Sequence, residues 1–343
     1  MFKLDLAVWE ITLQCNLKCI HCMADAYNVG STNNDLTTHE GLKLLNDLAF
    51  LGCKKVVLSG GEPFLRKEWD LFARRIIDLN MELIIISNGT IFNEEIANKL
   101  YFLGTSSLGF SLDGATAETH DYVRGVKGSF DKVINTFKLC NQKELYNSAV
   151  TTVHKYNFKE LDNILTLLID NGIKNWLVQV AKPIGRMAEA YTLSEEEYYE
   201  LAEKIVNYRK KYTSIISISE ADCIGYYSKL SPYLHYNIWG GCSCGINLIS
   251  IENDGNVKGC PSMNNSEGNI KDTSIIDIWN DPNKFAYNRH FTSELLTGYC
   301  KECTYGNICR GGCAQNIRNK TGSPYCLYKI EKMGFDDNIN LAT

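Results

Sequence analysis

The sequence predicts an α/β chain, a partial, open (β/α)6 TIM-like barrel followed by a small cysteine-rich domain with a β-hairpin. Through the first two-thirds, apolar β-branched runs alternate with amphipathic stretches of helical length, the pattern of a parallel sheet. About six such units are present, too few for a closed eight-stranded barrel. From about residue 240 the style turns to short strands, glycines and cysteines. The expected boundaries are 1–215 for the barrel, 216–239 for a connecting segment and 240–343 for the cysteine-rich domain.

The strand candidates are LAVWEITL, KKVVLSGG, ELIIISNG, SLGFSLDG, SAVTTV and NWLVQVAKP. Between the first two lies TTHEGLKLLNDLAFLG, with a threonine near its start and Gly52 just past its end, both helix-boundary signals. NFKELDNILTLLIDNG stops at Asn171-Gly172, and SEEEYYELAEKIVNYRKKY closes the barrel region. NLISIEN and NVKGC, joined through Asp254-Gly255, read as a hairpin. Several strands end in polar or glycine-rich turns: Gly60-Gly61-Glu62-Pro63, Ser87-Asn88-Gly89 and Asp113-Gly114. In parallel α/β folds, sites gather at these carboxyl ends.

Composition narrows the function. No apolar run approaches the roughly 18 residues of a membrane span. No basic-then-apolar signal peptide opens the chain. A net charge of −5 gives no electrostatic reason for a nucleic-acid partner. The expected location is the cytoplasm, where thiols stay reduced and clustered cysteines mean metal or catalysis. The 14 cysteines are clustered: three near the start and eight from Cys242 to Cys326, leaving Cys53, Cys140 and Cys223 as isolated buried hydrophobes.

Cys15, Cys19 and Cys22 form CxxxCxxC directly after the first strand. Three thiolates on one loop hold three irons of a [4Fe–4S] cube and leave the fourth open for a substrate. The alternative is a zinc site completed by His21 or a distant cysteine. Downstream, Cys300, Cys303, Cys309 and Cys313 have the spacing Cx2Cx5Cx3C; Cys326 follows, and Cys242, Cys244 and Cys260 precede. Two close cysteine pairs suffice for a zinc ribbon. Eight cysteines match two four-thiolate clusters.

The loop, its strand context and SGGEP resemble the radical S-adenosylmethionine (SAM) superfamily over roughly residues 5–215. The resemblance implies that SAM binds the open iron and is cleaved by one electron to methionine and a 5′-deoxyadenosyl radical. By the same resemblance His21 meets the adenine, while Gly60, Gly61, Glu62 and Pro63 hold the SAM ammonium. Ser87 and Asn88 lie near the ribose, Ser111 and Asp113 end the next strand, Arg124 meets the SAM carboxylate, and Gln179 lines the adenosine pocket. The expected electron donor is reduced flavodoxin or ferredoxin.

The later cysteines resemble the SPASM extension of such enzymes, with a Gly-x4-Cys at Gly255–Cys260 and two auxiliary [4Fe–4S] clusters, three clusters in all. The resemblance gives Cys300, Cys303, Cys309 and Cys326 to the outer cluster and Cys242, Cys260 and Cys313 to the inner one. Cys244 stands where the family often has alanine; either it is the fourth inner ligand or that cluster keeps an open iron. Members of this branch mostly modify peptides, so a ribosomally made peptide is the expected substrate. Leader recognition would then need a separate leader-peptide-binding protein, because the first cluster cysteine comes at residue 15. Sulfatase-type or small-alcohol dehydrogenation is the enzymatic alternative. The sulfatase-maturing members place an Asp base after the Gly-x4-Cys cysteine, and here that position is Pro261. A base could still come from Asp254, Glu252 or nearby Tyr residues, and none is singled out. A non-catalytic zinc or iron–sulfur protein is the alternative from another class.

Overall fold

A computed structural model describes residues 2–26, 34–104, 107–221, 224–235, 239–314 and 325–334. One ten-stranded sheet organises it. The strands are β1 Leu6–Thr12, β2 Lys55–Gly60, β3 Glu82–Ser87, β4 Ser107–Ser111, β5 Asn147–Val153, β6 Asn175–Val180, β7 Ser217–Glu220, β8 Leu248–Ile251, β9 Asn256–Lys258 and β10 Gly268–Asn269. Strands β1 to β7 run in chain order and in parallel, as right for β/α units. β8 pairs in parallel with the free side of β1, and β9 and β10 follow antiparallel. The expected open barrel and hairpin are both present, and the hairpin continues the barrel's own sheet.

The helices α1 Thr38–Phe50, α2 Trp69–Asp78, α3 Glu94–Leu103, α4 Ala117–Arg124, α5 Ser129–Gln142, α6 Leu161–Asp170 and α7 Glu195–Tyr212 cover the outer face. Local chemistry sets their limits. Thr37 and Glu40 form a capping box at the start of α1, and Gly52, at φ +80°, turns the chain after it. Gly104 and Gly125 end α3 and α4 in the left-handed conformation.

Side-chain alternation then decides what faces what. Trp9 points outward, 4.8 Å from the Phe72 ring of α2, and a Cβ on Gly41 of α1 would lie 2.6 Å from the Trp9 ring. Its neighbours Val8 and Glu10 therefore face the barrel interior. Fully buried Phe110, Phe137, Trp176 and Tyr198 continue the outer core. Among the described residues, no helix is long and apolar enough to cross a membrane.

Candidate functional site

The first cysteine loop leaves β1 and is fastened before it reaches Cys22. Lys18 and Ile20 donate their amides to the carbonyls of Arg124 and Val123 at 3.1 and 2.9 Å. The turn after α4 allows this approach, since a Cβ on Gly125 would lie 2.4 Å from the Lys18 carbonyl. On the other side Arg186 donates from Nε to the Cys19 carbonyl at 2.8 Å and from its amide to that of Cys22 at 3.0 Å. No motif marked Arg186 or the preceding Gly185. Gly185, at φ +61°, would clash through a Cβ with the Cys22 carbonyl at 2.3 Å.

The GGEP turn presses against the same loop. Gly61 and Glu62 donate their amides to Thr12 and Gln14 carbonyls, each at 2.7 Å, and a Cβ on Gly61 would lie 2.1 Å from the Gln14 oxygen. The Glu62 side chain turns the other way. Completely buried, it accepts from Ser87 Oγ at 2.8 Å, the Asn88 amide at 2.8 Å and the Phe64 amide at 3.2 Å. The Glu62 carboxylate and the Ser87 hydroxyl, both expected beside the cofactor, are thus bonded to each other. Both are spent inside the protein, joining the ends of β2 and β3 around the 3-10 turn Pro63–Leu65. Burial pushes the Glu62 carboxyl up to about 7 against those three donors. Asn88 donates to Asn16 Oδ1 at 2.9 Å and approaches Cys15 Sγ at 3.8 Å.

A buried charged group forms the opposite wall. Asp113 Oδ2 lies 2.6 Å from Arg124 Nη2 and 3.0 Å from His21 Nε2, while its Oδ1 accepts from the Thr152 amide at 2.8 Å. Burial opposes ionisation of Asp113, but Arg124 and His21 outweigh it and hold the carboxyl well below the usual carboxylate range. Arg124 Nη1 reaches Cys19 Sγ at 3.6 Å. His154, after β5, stacks edge-on to His21 at 5.6 Å; it stood in no motif and was missed. Burial lowers its imidazole to about 4 although the charge of Asp113 opposes it, so it is neutral at pH 7. Gln179 donates to Thr152 Oγ1 at 2.8 Å on the inner face of β5 and β6, and Ser111 sits half-buried at the end of β4.

This wall fits a polar cofactor on its own atoms. His21 Nδ1 and Arg124 Nε are buried beside the cysteine loop without a hydrogen-bond partner among the described residues. Buried polar groups left so are costly unless something meets them. The thiol set fits an iron–sulfur centre. Cys15 and Cys19 are buried, and desolvation pushes the Cys15 thiol up to about 11 in the protein alone.

The later cysteines gather in two groups, and the chain interleaves them. Cys244 makes hydrogen-bond contact with both Cys242 and Cys260, and Cys313 is close enough to act on both through charge. Sharing the Cys244 proton lowers Cys260 to about 6 and raises Cys244. Asn288 Nδ2 holds the carbonyls of Cys242 and Cys244 at 2.6 and 2.8 Å, and Lys182 Nζ lies 3.3 Å from Cys313 Sγ. Cys300, Cys303, Cys309 and Cys326 line a single cleft. Cys53 and Cys140 stay apart in the core, and Cys223 lies outside the described residues. Of the two carboxylates considered as bases, Asp254 accepts from Asn256 in the hairpin turn, at 3.0 and 2.8 Å, and Glu252 pairs with Lys258.

A partial barrel with a three-cysteine loop at its mouth and two further groups of cysteines beside it carries the thiols of an iron–sulfur protein. The family models agree: that of the radical SAM superfamily matches residues 9–168, and that of the iron–sulfur cluster-binding SPASM domain matches residues 242–304. The chain belongs to the radical SAM superfamily and carries a SPASM domain.

Its relatives divide by chemistry. An AdoMet-dependent heme synthase of Methanosarcina barkeri is 29% identical, over 95% of this chain and 97% of its own. The mycofactocin maturase MftC of Mycolicibacterium smegmatis is 26% identical, over 89% of this chain and 76% of its own. Streptococcus suis SuiB, solved with S-adenosylmethionine, shares the fold at a TM-score of 0.74 and 18% identity, over 94% of this chain and 76% of that one.

Proposed function

We propose that the protein cleaves SAM reductively and uses the resulting radical to oxidise a peptide. In this reading Cys15, Cys19 and Cys22 hold a [4Fe–4S] cluster that, with SAM bound, supplies a 5′-deoxyadenosyl radical. Cys242, Cys244, Cys260 and Cys313 hold the inner auxiliary cluster, with Cys244 as its fourth ligand. Cys300, Cys303, Cys309 and Cys326 hold the outer one.

The surrounding residues then have distinct tasks. His21 Nδ1 and Arg124 Nε meet the polar groups of SAM, with Asp113 fixing both side chains. Gly60, Gly61 and Pro63 offer turn backbone to the ammonium, Asn88 orients the Cys15 edge, and Ser111 and Gln179 line the nucleoside side. Glu62 and Ser87 hold the turn itself.

The observation that carries the peptide reading is the charge of the barrel interior. Glu10 faces it, and the charges of Glu252 and Asp254 push its carboxyl up while Lys258 opposes them. An acidic lumen repels a substrate bearing several carboxylates and admits a neutral or cationic peptide side chain. The maturase relative supports this reading. Oxidation of a tetrapyrrole is the second reading, favoured by the full-length similarity to a heme synthase. A cytoplasmic location and a flavodoxin or ferredoxin donor belong to the proposal in either case.

The test is anaerobic reconstitution followed by reduction with SAM present. About 12 irons per chain, four per cluster, are expected, together with release of 5′-deoxyadenosine that a Cys19→Ala variant does not show. Candidate precursor peptides and iron coproporphyrin are then offered separately. A stable zinc protein without iron overturns the enzyme reading, and consumption of the tetrapyrrole alone overturns the peptide one.

A further inference from the structure

The sequence places no base after Cys260, yet removing a hydrogen atom and an electron from a substrate leaves a proton that must go somewhere. Glu10 lies in the middle of an apolar strand, where a carboxyl has no structural reason to be. Alternation against Trp9 turns it into the lumen, and the parallel ladders place Ser59 of β2 opposite it and Ser250 of β8 opposite Val8 on the same face. Glu252 continues that face beyond β8, and Lys258 of β9 pairs with it. Glu10 is about nine-tenths buried, and Ser250 Oγ is fully buried with no hydrogen-bond partner among the described residues. A hydroxyl without a partner among the described residues therefore lies on the same lumen face as a buried carboxyl, with Lys258 of β9 opposite it in the ladder. β1 runs on from it to Cys15, and β9 runs on to Cys260, so it sits between the segments that carry the first loop and the inner quartet.

We infer that Glu10 is the catalytic base of this enzyme, accepting the substrate's proton in the lumen with Glu252 beside it and Ser250 contacting the same substrate group. The inference rests on the radical SAM oxidation proposed above and not on which substrate is oxidised. The atoms and charges balance. The substrate C–H bond breaks and its hydrogen atom ends in 5′-deoxyadenosine. The adjacent X–H bond breaks and its proton ends on the Glu10 carboxylate. One electron passes to an iron–sulfur acceptor held by the auxiliary cysteines, and the substrate gains a C=X double bond or a new bond to carbon.

The surroundings suit the task. Burial first, then the charge of Glu252, push the Glu10 carboxyl up to about 7; Lys258 opposes this and Asp254 adds to it. From β2 the facing residue is uncharged Ser59. A base near neutrality combines a useful ionised fraction with real proton affinity.

The experiment has two arms. In the first, reconstituted enzyme labelled with 13C-glutamate, without substrate, is titrated by infrared spectroscopy from about pH 5 to about pH 9. A protonated-carboxyl band that fades near neutral pH is expected in the wild type, with contributions from Glu10 and Glu62. Glu10→Gln should remove the Glu10 share of its amplitude, and Glu252→Gln should shift that share to lower pH. An amplitude unchanged in Glu10→Gln overturns the inference.

In the second arm, wild type, Glu10→Gln and Glu10→Asp are compared on whichever substrate the wild type consumes, peptide or iron coproporphyrin. Product formed per 5′-deoxyadenosine should fall about a hundredfold in Glu10→Gln. Glu10→Asp should restore part of it with a displaced acidic limb in the pH profile. An unchanged product ratio in Glu10→Gln overturns the inference even where the wild type oxidises its peptide. Consumption of the tetrapyrrole instead overturns the peptide reading and leaves Glu10 to be judged by the same ratio.

Discussion

The two cysteine regions are built in opposite ways. The first loop is shaped by protein alone: amides of Lys18 and Ile20 fixed to the end of α4, carbonyls of Cys19 and Cys22 fixed by Arg186, and a floor of Leu17 and Ala26. The second region is made of pieces too short to stand. Its helices Tyr299–Glu302 and Gly306–Cys309 have four residues each, and β10 has two. Helices of that length do not persist in water on their own. What crosslinks them is the pair of interleaved cysteine groups, so metal binding there is folding free energy. The barrel thus offers its cysteines a finished site, whereas the SPASM region is finished by what its cysteines bind.

The largest effect expected from this contrast is on the barrel side. Glu62→Ala removes the acceptor for three buried donors, Ser87 Oγ and the amides of Asn88 and Phe64. At about 1–3 kcal/mol for each donor left unsatisfied, the loss rivals the whole stability of a domain. Thermal unfolding should show a collapsed transition or insoluble protein. A Cys300→Ser variant, by contrast, should keep the barrel's far-ultraviolet helix signal. A Glu62→Ala protein as stable as wild type would show that the turn is not the keystone assigned here.

What the sequence made legible follows the same division. Strand-helix alternation, the cap at Thr37, the stop at Gly52 and the Asp254-Gly255 hairpin were readable because they are local. The cysteine groupings were readable because spacing and family pattern fix partners even across a long chain separation. Whether a polar side chain at a strand end is free was not readable. Ser87 and Glu62 both match a cofactor pattern, but each is consumed by the other, a pairing across 25 residues that neither segment displays alone. Glu10 was passed over for a related reason: within VWEIT it reads as one polar residue in an apolar run. Its meaning emerges only when β8 and β9 close over β1. Arg186 and Gly185 act through backbone carbonyls, which leave no motif.

A middle-sized effect separates the two regions directly. Iron removal by a chelator under anaerobic conditions should raise amide exchange throughout 299–309 and around Cys242–Cys244, while β1 to β6 keep their protection. Loss should be to nearly unprotected exchange in the first set and about twofold or less in the second, because local opening follows local stability. Equal loss in β2 and β3 would mean that the barrel also depends on its metal, and the contrast drawn above would fall.

The smallest effect lies in the pH dependence of the barrel. Glu10 and Glu62 both have carboxyls pushed up to about 7 from an ordinary 4.5, so the folded state binds more protons than the unfolded chain across that interval. The share of stability these two carboxyls contribute is therefore greatest below their unfolded value and falls as pH rises through about 7, by at most about 3 kcal/mol for each group. The buried imidazoles of His120 and His154, lowered to about 4, contribute in the opposite sense up to their ordinary 6.5. Asp113 has the opposite shift, but its contribution is complete above its ordinary value and stays constant across this window. Exchange in the auxiliary region should follow iron content instead. Chemical denaturation of the iron-loaded protein between about pH 5 and about pH 8 measures the slope, and Glu10→Gln should remove a share of it. A slope untouched by Glu10→Gln would place the titrating groups elsewhere.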